Sequence, residues 1–147
     1  MSRRLLLKFM ITALLMPAAA FAEQSKSFGD YTIHYSAFTT DTLSPEVAKQ
    51  YQIPRSKNRA MVNISILKKD EGLLGKPVRA KIEGAAKNLS EQLRALQIRE
   101  VVSEDAVYYI AETPIANQET LRYDFEITPE GEQTAFHISF QEQFYTN

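Results

Sequence analysis

The sequence predicts a mainly β protein: one antiparallel β-sandwich of immunoglobulin-like type, with about seven strands and one short helix. Three observations carry this prediction. Apolar residues recur with a period of two in most segments after residue 30, as in Tyr31-Ile33-Tyr35, Val62-Ile64-Ile66 and Leu121-Tyr123-Phe125-Ile127. Turn signals such as Lys68-Lys69-Asp70-Glu71-Gly72 and Pro129-Glu130-Gly131-Glu132 separate these segments at short intervals. No strand–helix–strand rhythm is present, so a parallel sheet is not expected. The Cys and Trp landmarks of antibody domains are missing, since the chain has neither residue.

The elements follow in order. Arg3, Arg4 and Lys8 introduce an apolar run from Phe9 to Met16, Pro17 ends it, and Ala20-Phe21-Ala22 places small residues where a signal peptidase reads them. Residues 1–22 are therefore expected to be a signal peptide cleaved after Ala22, which sends the protein to the periplasm. The run is shorter than the roughly 20 apolar residues of a spanning helix, so no stable membrane insertion is expected after cleavage. The paired arginines also fit the twin-arginine pattern, but the short basic region and strongly apolar centre favour the general secretory route.

Residues 23–27 are polar and are expected to fray. Tyr31, Ile33 and Tyr35 alternate with Thr32, His34 and Ser36, which predicts a first strand. Ser44-Pro45-Glu46 reads as a helix start, with Ser44 as N-cap and Pro45 at the first helical position, and this short helix ends before Pro54. A basic loop with Arg55, Lys57 and Arg59 leads into a strand over residues 59–68. A third strand follows over residues 78–83, where Gly84 marks a bulge or a close backbone approach. Residues 88–93 read as a loop or a single helical turn. Leu96, Ile98 and Val101 suggest a strand with a break in register near Arg99. Residues 106–112 are apolar on both faces and are expected at the centre of a sheet. Strands at 121–127 and 136–140 flank the Pro129–Glu132 hairpin turn.

Removal of 22 residues from 147 leaves 125, the size of one domain with one core, spanning residues 23–147. Without Arg3, Arg4 and Lys8 that domain has 14 basic and 18 acidic residues, a net charge of −4 against −1 for the whole chain. An acidic balance argues against nucleic acid as a partner and gives no support for binding anionic membranes. With no cysteine there is no disulfide and no N-terminal lipid anchor, so stability must come from packing.

Four stretches in order, Phe28-Gly29-Asp30-Tyr31, Gly84-x-x-x-Asn88-Leu89, Tyr108-Tyr109-Ile110-Ala111 and Phe140-x-x-x-Phe144-Tyr145, resemble small exported bacterial proteins grouped as domain of unknown function 4426. The likeness spans nearly all of residues 23–147. It implies a single-domain secreted or periplasmic β-sandwich, and it brings no activity, cofactor or site residue with it.

Residues that could carry chemistry are few. No Cys, no Gly-x-Ser-x-Gly elbow and no His-Glu-x-x-His helix is present, so no catalytic residue is assigned and an enzyme is not expected. His34 and His137 lie on the polar faces of the first and last strands and would be metal-ligand candidates if those strands were neighbours. Two ligands do not complete a site, since zinc takes three or four protein groups. No metal or other cofactor is therefore expected. Arg55, Lys57 and Arg59 are candidates for contacting an acidic partner, although charged residues beside a strand edge more often prevent unwanted pairing. Tyr108 and Tyr109 point to opposite faces of their strand, so one of them lies outside or against the helix and is a candidate for a partner-binding patch. The leading expectation is a non-catalytic periplasmic binding or accessory module that contacts another envelope protein. The alternative is a small-molecule or metal binder, and an enzyme of unidentified type comes third.

Overall fold

The computed structural model describes residues 23–72 and 74–147; the expected signal peptide lies outside the described residues. Ten strands form among them: β1 (Gln24–Phe28), β2 (Tyr31–Thr39), β3 (Arg59–Lys68), β4 (Lys76–Pro77), β5 (Ala80–Asn88), β6 (Leu93–Ala95), β7 (Arg99–Ser103), β8 (Ala106–Pro114), β9 (Thr120–Pro129) and β10 (Phe136–Gln143). One sheet has the order β1-β2-β3-β8-β7, with β4 paired to the far end of β3; the other has the order β10-β9-β5-β6. Every pairing is antiparallel. The chain changes sheet between β4 and β5, between β6 and β7, and between β8 and β9, which makes the expected mainly β sandwich.

Alternation decides which side chains meet between the sheets. Ile33, Val62, Ile64 and Ile66 from the first sheet face Leu121, Tyr123, Phe125, Ile127 and Ile138 from the second, all of them at most 1% exposed. Aromatic rings fill one side of this layer: Tyr35 lies 4.6 Å from Phe140, and Tyr123 lies 5.0 Å from Phe140. Gly84 stands opposite Phe125 across the β5–β9 pair. A β-carbon there would sit 2.2 Å from the Phe125 ring, so the glycine makes room for a ring lying on its backbone.

The structure corrects two readings. Residues 23–27 are not frayed: β1 pairs with β2 over the full register from Gln24↔Tyr35 to Phe28↔Tyr31, closed by a two-residue turn in which Gly29 takes a φ of +57°. Its polar side chains show no buried period because backbone bonds hold it, and Phe28 anchors it by stacking 4.7 Å from Phe136. Of the irregular strand expected over Leu96–Val102 only the part from Arg99 onward is strand, as β7 of the first sheet; Leu96–Ile98 form the crossover that follows the unexpected three-residue β6 of the second sheet. Together with the two-residue β4, these changes raise about seven expected strands to ten.

Candidate functional site

Between β2 and β3 the chain makes an excursion over the outer face of the first sheet. It holds a single 3-10 turn at Thr40–Thr42 and the helix α1 (Pro45–Gln50), whose N-cap Ser44 accepts a hydrogen bond from the Val47 amide at 3.2 Å. Ser44, Pro45 and Glu46 thus occupy the places their residue types predict. The excursion is pinned from within. Thr40, fully buried, donates from Oγ1 to the Pro54 carbonyl at 2.7 Å and accepts from the Ser56 amide at 2.9 Å. Arg55 donates to the carbonyls of Leu43 and Asp41 at 2.8 and 2.9 Å, and Arg99 of β7 donates to the Tyr51 carbonyl. The Arg99 bond satisfies the carbonyl at the helix C-cap, and the others satisfy loop carbonyls on either side of the helix.

The excursion explains why β8 is apolar on both faces. On the outer face Ile53 packs against Met61 of β3 and Ile110 of β8, with Phe38, Leu43, Tyr51, Val101 and Tyr108 around them, as a second apolar cluster separate from the core. The packing is incomplete. A cleft of about 260 Å³ remains between the excursion and the sheet, walled by Leu43, Val47, Tyr51 and Ile53 above and by Phe38, Met61, Val101, Tyr108 and Ile110 below. Asn63 of β3 is the one lining residue with neither an apolar nor an aromatic side chain. Its Oδ1 is buried and accepts no hydrogen bond among the described residues. Burying such an acceptor without a partner costs about 1–3 kcal/mol, so it is an unusual group to find on the floor of an apolar cleft.

The residues singled out from sequence fall in different places. Tyr108 is on the outer face, lining the cleft beside α1. Tyr109 points the other way, as expected, and is 5% exposed. Its hydroxyl donates to Glu100 Oε2 at 2.9 Å and accepts from the Ala80 amide at 2.8 Å, which ties β8 to the start of β5 in the opposite sheet. Burial pushes this hydroxyl up to about 12 from its ordinary 10, with Glu100 adding to the shift. Arg55 is bonded within the excursion, and Arg59 donates to Glu112 at 2.8 Å, which leaves Lys57 as the exposed cation free of such bonds in that loop.

His34 and His137 do not meet. His34 lies on the outer face of the first sheet, with Nδ1 2.9 Å from Glu23; His137 lies on the outer face of the second, 3.5 Å from Asp124. Each histidine thus has one carboxylate beside it, fewer donors than a copper or zinc centre usually takes. Among the described residues no three His, Asp or Glu side chains gather around a common point.

Sequence reasoning missed most of the cleft, including Asn63, Phe38, Met61 and Val101. One signal pointed to it. A strand apolar on both faces needs two covers, and Met61 and Ile110 fall on the same outer face of adjacent strands only if something apolar lies over them.

Comparisons with known proteins place this architecture. A family model described as a domain of unknown function (DUF4426) matches residues 25–147. The crystal structure of a DUF4426 family protein from Pseudomonas aeruginosa is 34% identical, with 85% of this chain and 96% of that chain covered and a TM-score of 0.73. FetP from a uropathogenic strain of Escherichia coli, expressed in the periplasm, is similar at 10% identity, over 83% of this chain and 93% of that one, with a TM-score of 0.58. A copper-bound variant of FetP is similar at 10% identity, over 84% and 95%, with a TM-score of 0.57. At that identity the FetP structures share the fold alone. No curated protein matches the sequence. No helix among the described residues is long and apolar enough to cross a membrane.

Proposed function

Because the chain belongs to the DUF4426 family, whose name assigns no activity, we propose its function from its geometry: it is an exported, non-catalytic binding module that holds a small apolar group in the cleft under α1. The observation that carries this reading is the incomplete packing between the pinned excursion and the outer face of the sheet. A protein interior normally closes such spaces. Here a rigid helix–loop stands over an apolar floor with about 260 Å³ left between them. That is slightly below the roughly 300–1,000 Å³ of sites for drug-sized ligands, which suits one or two fused rings. The signal-like residues 1–22 and the periplasmic expression of FetP support the periplasm as its place of action.

Binding of an envelope protein through the basic loop has less support, since Arg55 and Arg59 are engaged within the fold. Copper binding is a second reading, favoured by the copper-bound FetP structure. The donors in hand, one histidine and one carboxylate on each sheet, do not complete such a centre. Copper titration of the wild type and of His34→Ala decides it: equal, weak and non-saturating responses remove the metal reading.

The cleft itself is tested by thermal shift with small aromatic fragments on the wild type and on Val101→Trp, which fills the cleft from its floor. The wild type is expected to gain about 1.4 kcal/mol at a fragment concentration of ten times Kd, and the variant nothing. Equal shifts in both proteins would place binding elsewhere.

A further inference from the structure

The outermost strands of each sheet have one side unpaired, and such edges invite pairing with another chain unless they are protected. Most edges here are protected by length or charge. β1 is five residues long and carries Lys26, β4 and β6 have two and three residues, and the five residues of β7 include Arg99 and Glu100. β10 differs. It runs for eight residues in unbroken register with β9 and contains no Pro, Lys or Arg. The phase of the ladder fixes which of its backbone groups are open. The Phe144 amide donates to the Glu119 carbonyl at 2.9 Å, continuing the β9–β10 register. Bonded and non-bonded positions alternate along an antiparallel ladder, so Phe136, Ile138, Phe140 and Glu142 bond to β9. His137, Ser139, Gln141 and Gln143 therefore turn their N–H and C=O groups away from β9, and all four side chains are exposed on the outer face.

We infer that β10 is the interface of a homodimer, pairing antiparallel with β10 of a second copy about a twofold axis at Phe140. The occupant follows from the edges: one open edge on an otherwise protected molecule closes with itself into an isologous pair and leaves nothing to extend. The register follows from the open backbone groups. With the axis at Phe140, Ser139 stands opposite Gln141 and His137 opposite Gln143 of the second copy, so every outward residue is paired and about eight backbone hydrogen bonds form. Moving the axis to Ser139 would set Gln143 opposite Ala135, which lies outside the strand. No Asp, Glu, Lys or Arg meets another across the outer seam. Beneath it Phe140, still 8% exposed, meets its own copy and extends the aromatic layer of Tyr35 and Tyr123. Glu142, the one carboxylate of β10, stands near the strand end opposite Ile138 of the second copy. Four residues separate the two Glu142 positions along the strand, roughly 13 Å, which exceeds the screening length of about 8 Å. The clefts under α1 lie on the outer face of the other sheet, so this inference is independent of what they bind.

Sedimentation equilibrium of protein purified after expression of the full chain reads the stoichiometry. One strand pair makes a small interface, so the expected result is a reversible monomer–dimer equilibrium with Kd on the order of micromolar. Ser139→Pro removes an amide that β9 does not use. Its circular dichroism should match the wild type while dimerisation weakens by about tenfold or more. Disulfide trapping reads the register, since the chain has no cysteine of its own. Ser139→Cys mixed with Gln141→Cys should crosslink under mild oxidation, because opposed residues of a bonded pair lie about 5.5 Å apart between α-carbons. Either variant alone should crosslink poorly, because its two cysteines lie diagonally, about 7–8 Å apart. A wild type that is monomeric at every concentration overturns the inference in favour of a strand from another protein. A folded Ser139→Pro that dimerises as the wild type does overturns it as well. Ser139→Cys crosslinking to itself as readily as to Gln141→Cys overturns the proposed pairing.

Discussion

Replacing Gly84 with alanine separates two physical accounts of the same residue. Judged by conformational preference, glycine inside a strand is a weakness. Alanine would limit the unfolded chain, gaining about 0.4–1 kcal/mol, and would bury a methyl group worth about 0.8 kcal/mol. Judged by the structure, the new β-carbon would lie 2.2 and 2.6 Å from two carbons of the Phe125 ring and 2.8 Å from the Asp124 carbonyl oxygen. Carbon–carbon contacts are comfortable at about 3.5–4.0 Å, so the ring must move by roughly 1 Å or more. It has little freedom to do so. Phe125 is fully buried, and its ring packs 6.1 Å from Tyr123 and 6.3 Å from Phe140, centre to centre. The backbone oxygen is held by the β5–β9 pairing. Overpacking substitutions destabilise by about 1–3 kcal/mol with such gains already included, and Gly84→Ala is expected in the lower part of that range, a loss of about 1–2 kcal/mol. In a domain of this size that corresponds to a fall in Tm of about 4–8 °C. Urea denaturation followed by circular dichroism measures it, with Phe125→Leu as the background for a second comparison. Once the ring is gone, Gly84→Ala should be neutral or stabilising. A Gly84→Ala protein as stable as the wild type would refute the reasoning.

Other perturbations test the remaining joints. Thr40→Val removes the hydroxyl that joins Pro54 and Ser56 and should cost about 1–3 kcal/mol, together with faster proteolysis within residues 41–58. Tyr109→Phe should cost a similar amount near neutral pH by leaving the Ala80 amide without its acceptor. Since the folded tyrosine is pushed up to about 12 from 10, its contribution is complete below pH 10 and is lost as pH rises toward 12. The stability gap between wild type and Tyr109→Phe should therefore narrow across that window, as followed by alkaline denaturation; a constant gap would contradict the assignment. Burial raises the carboxyl of Glu142 above its ordinary 4.5, so folding favours its protonated form. That contribution is full below pH 4.5 and is lost as pH rises through the folded value. Glu142→Gln should match the wild type in acid and exceed it near pH 7, and a variant less stable at pH 7 would show that the carboxylate is needed.

Much of the fold is legible in the sequence because strand period and burial coincide. β3, β9 and β10 each turn one face to the core, and their alternation of apolar residues is the direct imprint of a two-layer core. The short helix is legible through Ser44 and Pro45, which act locally. What the sequence hides is held by forces without a side-chain period. β1 exists through backbone pairing and one stacked ring, and β4 is two residues long. β6 is three residues long and joins β5 while β7 joins β8, and which sheet each takes is a long-range choice that a one-dimensional pattern does not carry. The candidate site was legible only in part. Tyr108 and Tyr109 had to diverge, and the apolar double face of β8 required a second cover. That Asn63, an ordinary outward residue on an alternating strand, ends beneath that cover with an unpaired oxygen depends on where the excursion lands.

The central claim is that the cleft beneath α1 binds a small aromatic ligand, and the most direct measurement is where such a ligand touches the protein. We would titrate ¹⁵N-labelled protein with indole and follow amide shifts. The account predicts saturable shifts concentrated at Phe38, Tyr51, Asn63, Val101 and Tyr108, absent in Val101→Trp. Shifts that fail to saturate, or that fall on the opposite sheet, would contradict it.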